Sequence, residues 1–390
     1  MYSSLKPILK AELKKIHDSG LHKEERVISS KQGRFITVGG KKYLNFCANN
    51  YLGLAGSKAL INAAKDALDQ YGFGLSSVRF ICGTQDIHKT LEKKTAQFIG
   101  KDDAILYSSC MSANIGFFAS FLGEEDVILS DTLNHASIID GIPSSKAERY
   151  IFKHLDMQDL ENGLKQNQNK RVRCIVTDGV FSMDGDIAPL GAMCDLADKY
   201  DALVTVDDSH ATGFMGKNGR GTHEHCGVLK RVDVITSTYG KALGGASGGF
   251  VAGPKELIAL LRERSRTYLF SNSLPPVVAA TALFALKYLI SHSNMRKKLW
   301  DNTRYFRTKM IKAGFTVPAS EHPIVPVIVG EAKKTKEIAG QMFRQGIYVI
   351  AFSYPVVPEG SARIRVQISS EHTNKDIDKL VEEFVKNAQG

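Results

Sequence analysis

Three apolar runs, some thirty residues apart, carry the clearest pattern in the chain: Cys174-Ile175-Val176, Ala202-Leu203-Val204-Thr205-Val206 and Val232-Asp233-Val234-Ile235-Thr236. Their near-continuous aliphatic and β-branched character predicts strands buried on both faces, as in a parallel sheet. The stretch from Pro189 to Ala197 between the first two has helix-compatible spacing with proline near its first turn, and so predicts a crossover between parallel strands. Each run ends in polar residues: Thr177-Asp178-Gly179-Val180-Phe181-Ser182, Asp207-Asp208-Ser209-His210 and Ser237-Thr238-Tyr239-Gly240-Lys241. Parallel strands deliver those ends to one sheet edge, where open α/β folds bind ligands.

Further strands are predicted at 34–38, 104–107, 127–129, 325–329 and 362–368, and helices at about 5–28, 277–313 and 373–386. Helix–strand alternation runs from Tyr51 to about Pro275-Pro276. The expected organisation is an N-terminal arm (1–50), a large cofactor-binding domain (51–285) and a smaller α+β domain (286–390), giving an α/β protein with a mainly parallel sheet.

Composition narrows the function classes. With 43% hydrophobic and 24% charged residues the chain is an ordinary globular one. No apolar run reaches the ~18 residues that span a bilayer. The first ten residues have neither a long apolar stretch nor an arginine, so the expected location is cytoplasmic. Net charge is +10, but the basic residues are scattered rather than clustered, which argues for anionic small substrates over nucleic acid. Six cysteines without a CxxC pair predict reduced thiols. His223-Glu224-His225-Cys226 looks like a metal cluster, yet adjacent residues diverge on either a strand or a helix, and no metal is expected. The glycines of Gly244-Gly245-Ala246-Ser247-Gly248-Gly249 match neither nucleotide-loop pattern and predict close packing.

Lys241 stands at the end of a buried strand with Gly240 before it and Gly244-Gly245 after, an amine with cleared space that can form a Schiff base. A lone lysine is usually a solvated surface charge. Asp207 shifts that balance, because a carboxylate at a buried strand end needs a cationic or N–H partner, such as a pyridinium nitrogen. Ser108-Ser109-Cys110-Met111, where a strand passes into a helix, offers unpaired N–H groups to a phosphate. His135, after the 127–129 strand, can stack on a flat ring.

These residues resemble the pyridoxal-phosphate-dependent α-oxoamine synthases. The likeness runs through 45–54, 77–85, 178–186, 206–213, 241–249 and 268–274. It implies a fold-type I pyridoxal-phosphate transferase with Lys241 as the Schiff-base lysine, Asp207 on the pyridine nitrogen, His135 on the ring, and Ser182 and His210 near its phenolic oxygen. It further implies that the amides of Cys110 and Met111 hold the phosphate, helped by Thr238 and by Ser271 and Asn272 of a neighbouring subunit, so the site is shared in a homodimer. Arg365 is implied to grip the amino-acid carboxylate, with Asn49 nearby. The branch resembled most joins glycine and acetyl-CoA to give 2-amino-3-oxobutanoate and CoA, within threonine breakdown. Synthesis of 8-amino-7-oxononanoate and serine–palmitoyl condensation are the alternatives inside the family, and a non-catalytic cofactor-binding protein lies outside it. Met111-Ser112, where that branch usually has an aromatic residue and Asp, and the small Ser353 are departures that bear on substrate choice.

Overall fold

The computed structural model describes residues 2–19, 21–354 and 356–388. Its centre is a seven-stranded sheet in the order Asp103–Tyr107, Gly249–Gly253, Val234–Thr238, Leu203–Asp207, Arg173–Asp178, Val127–Asp131, Glu148–Phe152. All neighbours from Val234–Thr238 to Glu148–Phe152 pair in parallel, and Gly249–Gly253 is antiparallel to both strands beside it. The three runs that open the sequence argument are therefore adjacent parallel strands. Helix Leu190–Tyr200 forms the crossover expected between the first two. The strands alternate between two cores, as the two-residue period of a strand requires: Ala104, Leu106, Ile175 and Val206 face one, and Ile105, Tyr107, Val176 and Val234 the other.

Gly249–Gly253 was not predicted as a strand. A run bounded by glycines gives little strand signal, and Gly249 is glycine for the reason of close packing: a Cβ there would lie 2.4 Å from the Cys110 nitrogen. This strand seats the start of helix Cys110–Phe121 directly on the sheet edge.

A second, three-stranded antiparallel sheet has Ala362–Gln367 between Ile324–Gly330 and Ile350–Phe352. Helices Asn294–Lys312, Ala332–Arg344 and Asn374–Ala388 accompany it. The predicted helix at 277–313 is two helices, Pro276–Ser291 and Asn294–Lys312, broken at His292-Ser293. The first packs against Lys58–Tyr71 and Asp86–Ile99. The predicted N-terminal helix is also shorter than 5–28. It spans Tyr2–Asp18 and ends where the N–H groups of Ser19 and Leu21 return to the carbonyls of Lys15 and Ile16, a closing pattern of helix C-termini. Strand Lys41–Asn45 pairs with Ile347–Tyr348, and Gln367 and Ser370 donate to the carbonyls of Phe46 and Tyr51, so residues 41–51 are stitched to the chain's last third. Among the described residues no single helix is long and apolar enough to cross a membrane.

Candidate active site

The carboxyl edge of the large sheet opens into a cavity of ≈ 190 Å³ lined by Cys110, Met111, His135, Asp178, Asp207, His210, Thr238 and Lys241, among others. Strand register explains the convergence. Asp178 and Asp207 are direct partners across adjacent strands, Thr238 ends the next strand opposite Gly249, and Lys241 follows three residues later.

Asp207 is held from several sides. Its Oδ1 accepts from the Ser209 N–H at 3.0 Å, and its Oδ2 from Asn114 Nδ2 at 2.7 Å and the Cys110 thiol at 3.5 Å. Burial pulls the Lys241 ammonium below the ordinary lysine range, against the opposing pull of Asp207, so the amine is shifted toward the neutral form that nucleophilic and base chemistry requires. Burial and the neighbouring Asp207 push the Asp178 carboxyl well above its usual range, and its Oδ2 accepts from the backbone N–H of His135 at 2.9 Å. Burial likewise lowers His135, and lowers His210 further. His210 Nδ1 shares a 2.8 Å hydrogen bond with the Tyr51 hydroxyl.

The helix Cys110–Phe121 is capped by Ser109, whose hydroxyl accepts from the Ser112 N–H at 3.0 Å. The N–H groups of Cys110 and Met111, at its first two positions, have no acceptor inside a helix. Both residues line the same cavity as Thr238, whose hydroxyl donates to the Gly248 carbonyl and accepts from Gly240 N–H, each at 2.9 Å.

The other sequence-predicted residues lie off the cavity wall. Arg365, in the central strand of the small sheet, donates from one terminal nitrogen to the Ser182 carbonyl at 2.9 Å and lies over the Phe352 ring at 4.8 Å. Its Nε is buried and without a partner. Asn49 accepts from Gln367 Nε2 at 2.8 Å, two residues along from Arg365. Ser182 belongs to a turn closed by Phe181 N–H on the Asp186 carbonyl and pinned by the Arg363–Asp184 ion pair and by Ser320 on the Gly185 carbonyl. Ser271 and Asn272 sit on a surface segment bridged to Val78, outside this cavity. The His223-Glu224-His225 residues have separate partners: Ile99 carbonyl, Asn218 with Arg220, and Glu321.

Sequence reasoning gave no role to Asn114, Ser137 or Asp178. Asn114 had a signal, a polar residue in the otherwise apolar helix segment Ala113-Asn114-Ile115-Gly116-Phe117-Phe118. Asp178 had one too, since it ends its strand as Asp207 ends the next.

A family model described as aminotransferase class I and II matches residues 41–384. The chain belongs to this family. It is 56% identical over 378 residues to the 2-amino-3-ketobutyrate coenzyme A ligase of Escherichia coli, with 96% of this chain and 95% of that protein covered. Identity to the mitochondrial 2-amino-3-ketobutyrate coenzyme A ligase of Mus musculus is 56% over 386 residues, covering 98% and 93%. An 8-amino-7-oxononanoate synthase of Petrotoga mobilis is 48% identical over 380 residues, covering 97% and 96%. Among solved structures, an SPT with PLP as an internal aldimine superposes with a TM-score of 0.93 at 30% identity, covering 100% of this chain and 98% of that one.

Proposed function

We propose that this protein is a pyridoxal-phosphate-dependent acyltransferase that joins glycine and acetyl-CoA to give 2-amino-3-oxobutanoate and CoA, reversibly, and serves the breakdown of threonine to glycine. The 56% identity to 2-amino-3-ketobutyrate coenzyme A ligases over nearly the whole chain is the observation that carries this reading. The cofactor is pyridoxal phosphate, and the chain's own residues fit it. A partly buried, neutral-shifted lysine, a fixed carboxylate and the two residues whose amides open a helix share one cavity, and glycine at 249 is what lets that helix start approach. When bound, the cofactor supplies an electron sink for the negative charge left when glycine loses an α-proton. In our reading Lys241 binds the cofactor covalently and then moves the α-proton, Asp207 holds a proton on the ring nitrogen, and the imidazole of His135 covers the ring. Cys110 and Met111 N–H and Thr238 take the phosphate, Ser182 and His210 flank the ring oxygen, and Arg365 with Asn49 takes the substrate carboxylate.

The proposal includes a homodimer in which Ser271 and Asn272 complete the partner's phosphate site. What supports it is the exposed apolar surface near those residues: Phe73, Phe80, Ile81 and Phe270 are each more than half exposed, unusual for a chain that stays single. It also includes the division into an arm (1–50), a cofactor-binding domain (51–285) and a small domain (286–390), and cytoplasmic work, which fractionation of the source cells tests against the mitochondrial naming of the mouse relative.

The test is the rate of CoA release with glycine, alanine and serine against acetyl-, pimeloyl- and palmitoyl-CoA. Glycine with acetyl-CoA is expected to give the highest kcat/KM. Because one methylene changes discrimination by only about 1–3 kcal/mol, some alanine turnover is expected. A higher kcat/KM for alanine with pimeloyl-CoA, or for serine with palmitoyl-CoA, moves the protein to that branch.

A further inference from the structure

The hydrogen bonds beneath the cavity converge on Asn114, a residue to which none of the roles above has been given. It stands in the second turn of helix Cys110–Phe121 and is 1% exposed. Its Nδ2 lies 2.7 Å from Asp207 Oδ2 and 2.9 Å from Ser137 Oγ. An amide nitrogen carries two protons, so these contacts use both. The partners fix which end of the amide faces them, since an oxygen in that place would set two acceptors 2.7 Å apart at Asp207.

The network continues from Ser137. Its hydroxyl accepts from Asn114 and lies 2.8 Å from His135 Nδ1, toward which its own backbone N–H also points at 3.2 Å. With its proton free to donate, the hydroxyl joins the backbone N–H in aiming at Nδ1. That nitrogen is therefore the lone-pair end of the ring, and a neutral His135 carries its proton on Nε2. Asp207 and His135 are far apart in sequence and are reached through one side chain.

We propose that Asn114 is a positioning residue that ties the orientation of the Asp207 carboxylate to the tautomer of His135, so that the two cofactor-facing groups act as one unit. The inference rests on the reading of Asp207 and His135 as the groups that meet the cofactor ring. Without the amide, Asp207 Oδ2 keeps only the long Cys110 thiol contact, and the Ser137 hydroxyl loses the donor that orients it. Asn114 thereby acts on the cofactor without touching it.

The experiment uses the holoenzyme and its Asn114→Ala, Asn114→Asp, Ser137→Ala and Asn114→Ala/Ser137→Ala variants, with cofactor affinity and the pH dependence of the bound cofactor's visible absorbance as readouts beside kcat. Asn114→Ala should weaken cofactor binding roughly tenfold, the loss expected for a hydrogen bond to a charged group, and move the absorbance midpoint along the pH axis. Ser137→Ala, which cuts only the His135 arm, should move the midpoint less. Adding it to Asn114→Ala should change little, because residues in one network are not additive. Asn114→Asp keeps the side chain's shape but sets a carboxylate oxygen 2.7 Å from Asp207, where it can donate only when protonated, so it should weaken cofactor binding at least as much as Asn114→Ala and move the absorbance midpoint further, even where Asn114→Ala folds poorly. An Asn114→Asp absorbance profile and affinity equal to the unaltered protein overturn the proposal, as does strict additivity of Asn114→Ala with Ser137→Ala. Borohydride reduction of the unaltered protein separates the two levels. Label on Lys241 with unmoved Asn114 variants rejects this inference alone, and label elsewhere rejects the cofactor reading together with it.

Discussion

The two sides of the site differ in how complete they are. On the large-sheet side, Asp207 takes donors from Ser209, Asn114 and Cys110, His135 is fixed through Ser137, and Asp178 is fixed by the His135 N–H. On the small-sheet side, Arg365 reaches the Ser182 carbonyl but leaves Nε buried with no acceptor. Native structures rarely leave such a group unpaired, and its desolvation costs about 1–3 kcal/mol. The side chains of Asp207, His135 and Asp178 are thus fixed before any ligand arrives, with only the helix-start N–H groups and the buried Ser209 hydroxyl left open on that side, whereas Arg365 lacks an acceptor of the kind a ligand carboxylate would supply. If Arg365 takes the substrate carboxylate as proposed, a pre-fixed set of cofactor-side groups beside an arginine with an open Nε suits an enzyme whose cofactor stays while its amino acid comes and goes.

Breaking the finished side should have the largest effect. Lys241→Ala is expected to fold, since the lysine sits at a strand end rather than in either core. Turnover should fall at least ~10²–10⁴-fold, the contribution of a positioned general base alone. Peptide mapping after borohydride treatment should find the cofactor on Lys241 in the unaltered protein. A Lys241→Ala variant that keeps more than about a tenth of its turnover is incompatible with the role.

How much of this contrast was readable beforehand depends on distance along the chain. The strand ends bearing Asp207, Thr238 and Lys241 were legible because a strand buried on both faces writes itself as a continuous apolar run. The network that holds them was not. Asn114 and Asp207 are 93 residues apart, and Arg365 and Ser182 are 183 apart. No periodicity records which polar side chains will meet when strands are laid in the order of this sheet. The glycine run shows the same boundary from the other side: its need for close packing was readable, but that it opens an antiparallel strand against Cys110 depends on a neighbour more than a hundred residues earlier. Arg365 itself had no local signal beyond standing in a strand, and only resemblance gave it a role.

Arg365→Ala tests the unfinished side. Hydrogen bonds to charged groups contribute about 1.5–3 kcal/mol, so glycine affinity should fall roughly 10- to 150-fold. Cofactor content should stay unchanged, because no contact of Arg365 reaches Asp207, His135 or the start of helix Cys110–Phe121. A spectral titration with glycine reads the first quantity and the absorbance ratio of the purified protein the second. Loss of cofactor together with glycine binding would erase the contrast, because the two sides would then depend on each other.

The smallest expected effect concerns the joint between the two sides. His154 lies between Asp131, at the end of its strand in the large sheet, and Asp186, at the foot of the turn that carries Ser182 to Arg365, with Nδ1 2.9 Å from Asp131 and Nε2 3.5 Å from Asp186. Burial alone would depress this imidazole, but the hydrogen bonds to the two carboxylates outweigh it and raise it to about 9. A histidine raised above its unfolded value of about 6.5 adds stability that is fully present below that value. The contribution fades as pH rises through about 9. His154→Gln should therefore lower Tm at pH 6.5 and have little effect near pH 10, so that the difference between variant and unaltered protein closes as pH rises. Because His154 touches the turn through Asp186 and the loop before His135 through Asp131, whose Oδ1 also accepts from Leu133 N–H, KM for glycine should rise in the variant at pH 7 and cofactor affinity should fall by less. Thermal melts across that range, paired with glycine titrations at pH 7, check both statements. A Tm difference that stays constant with pH would mean that the joint holds by shape and not by the charge on His154.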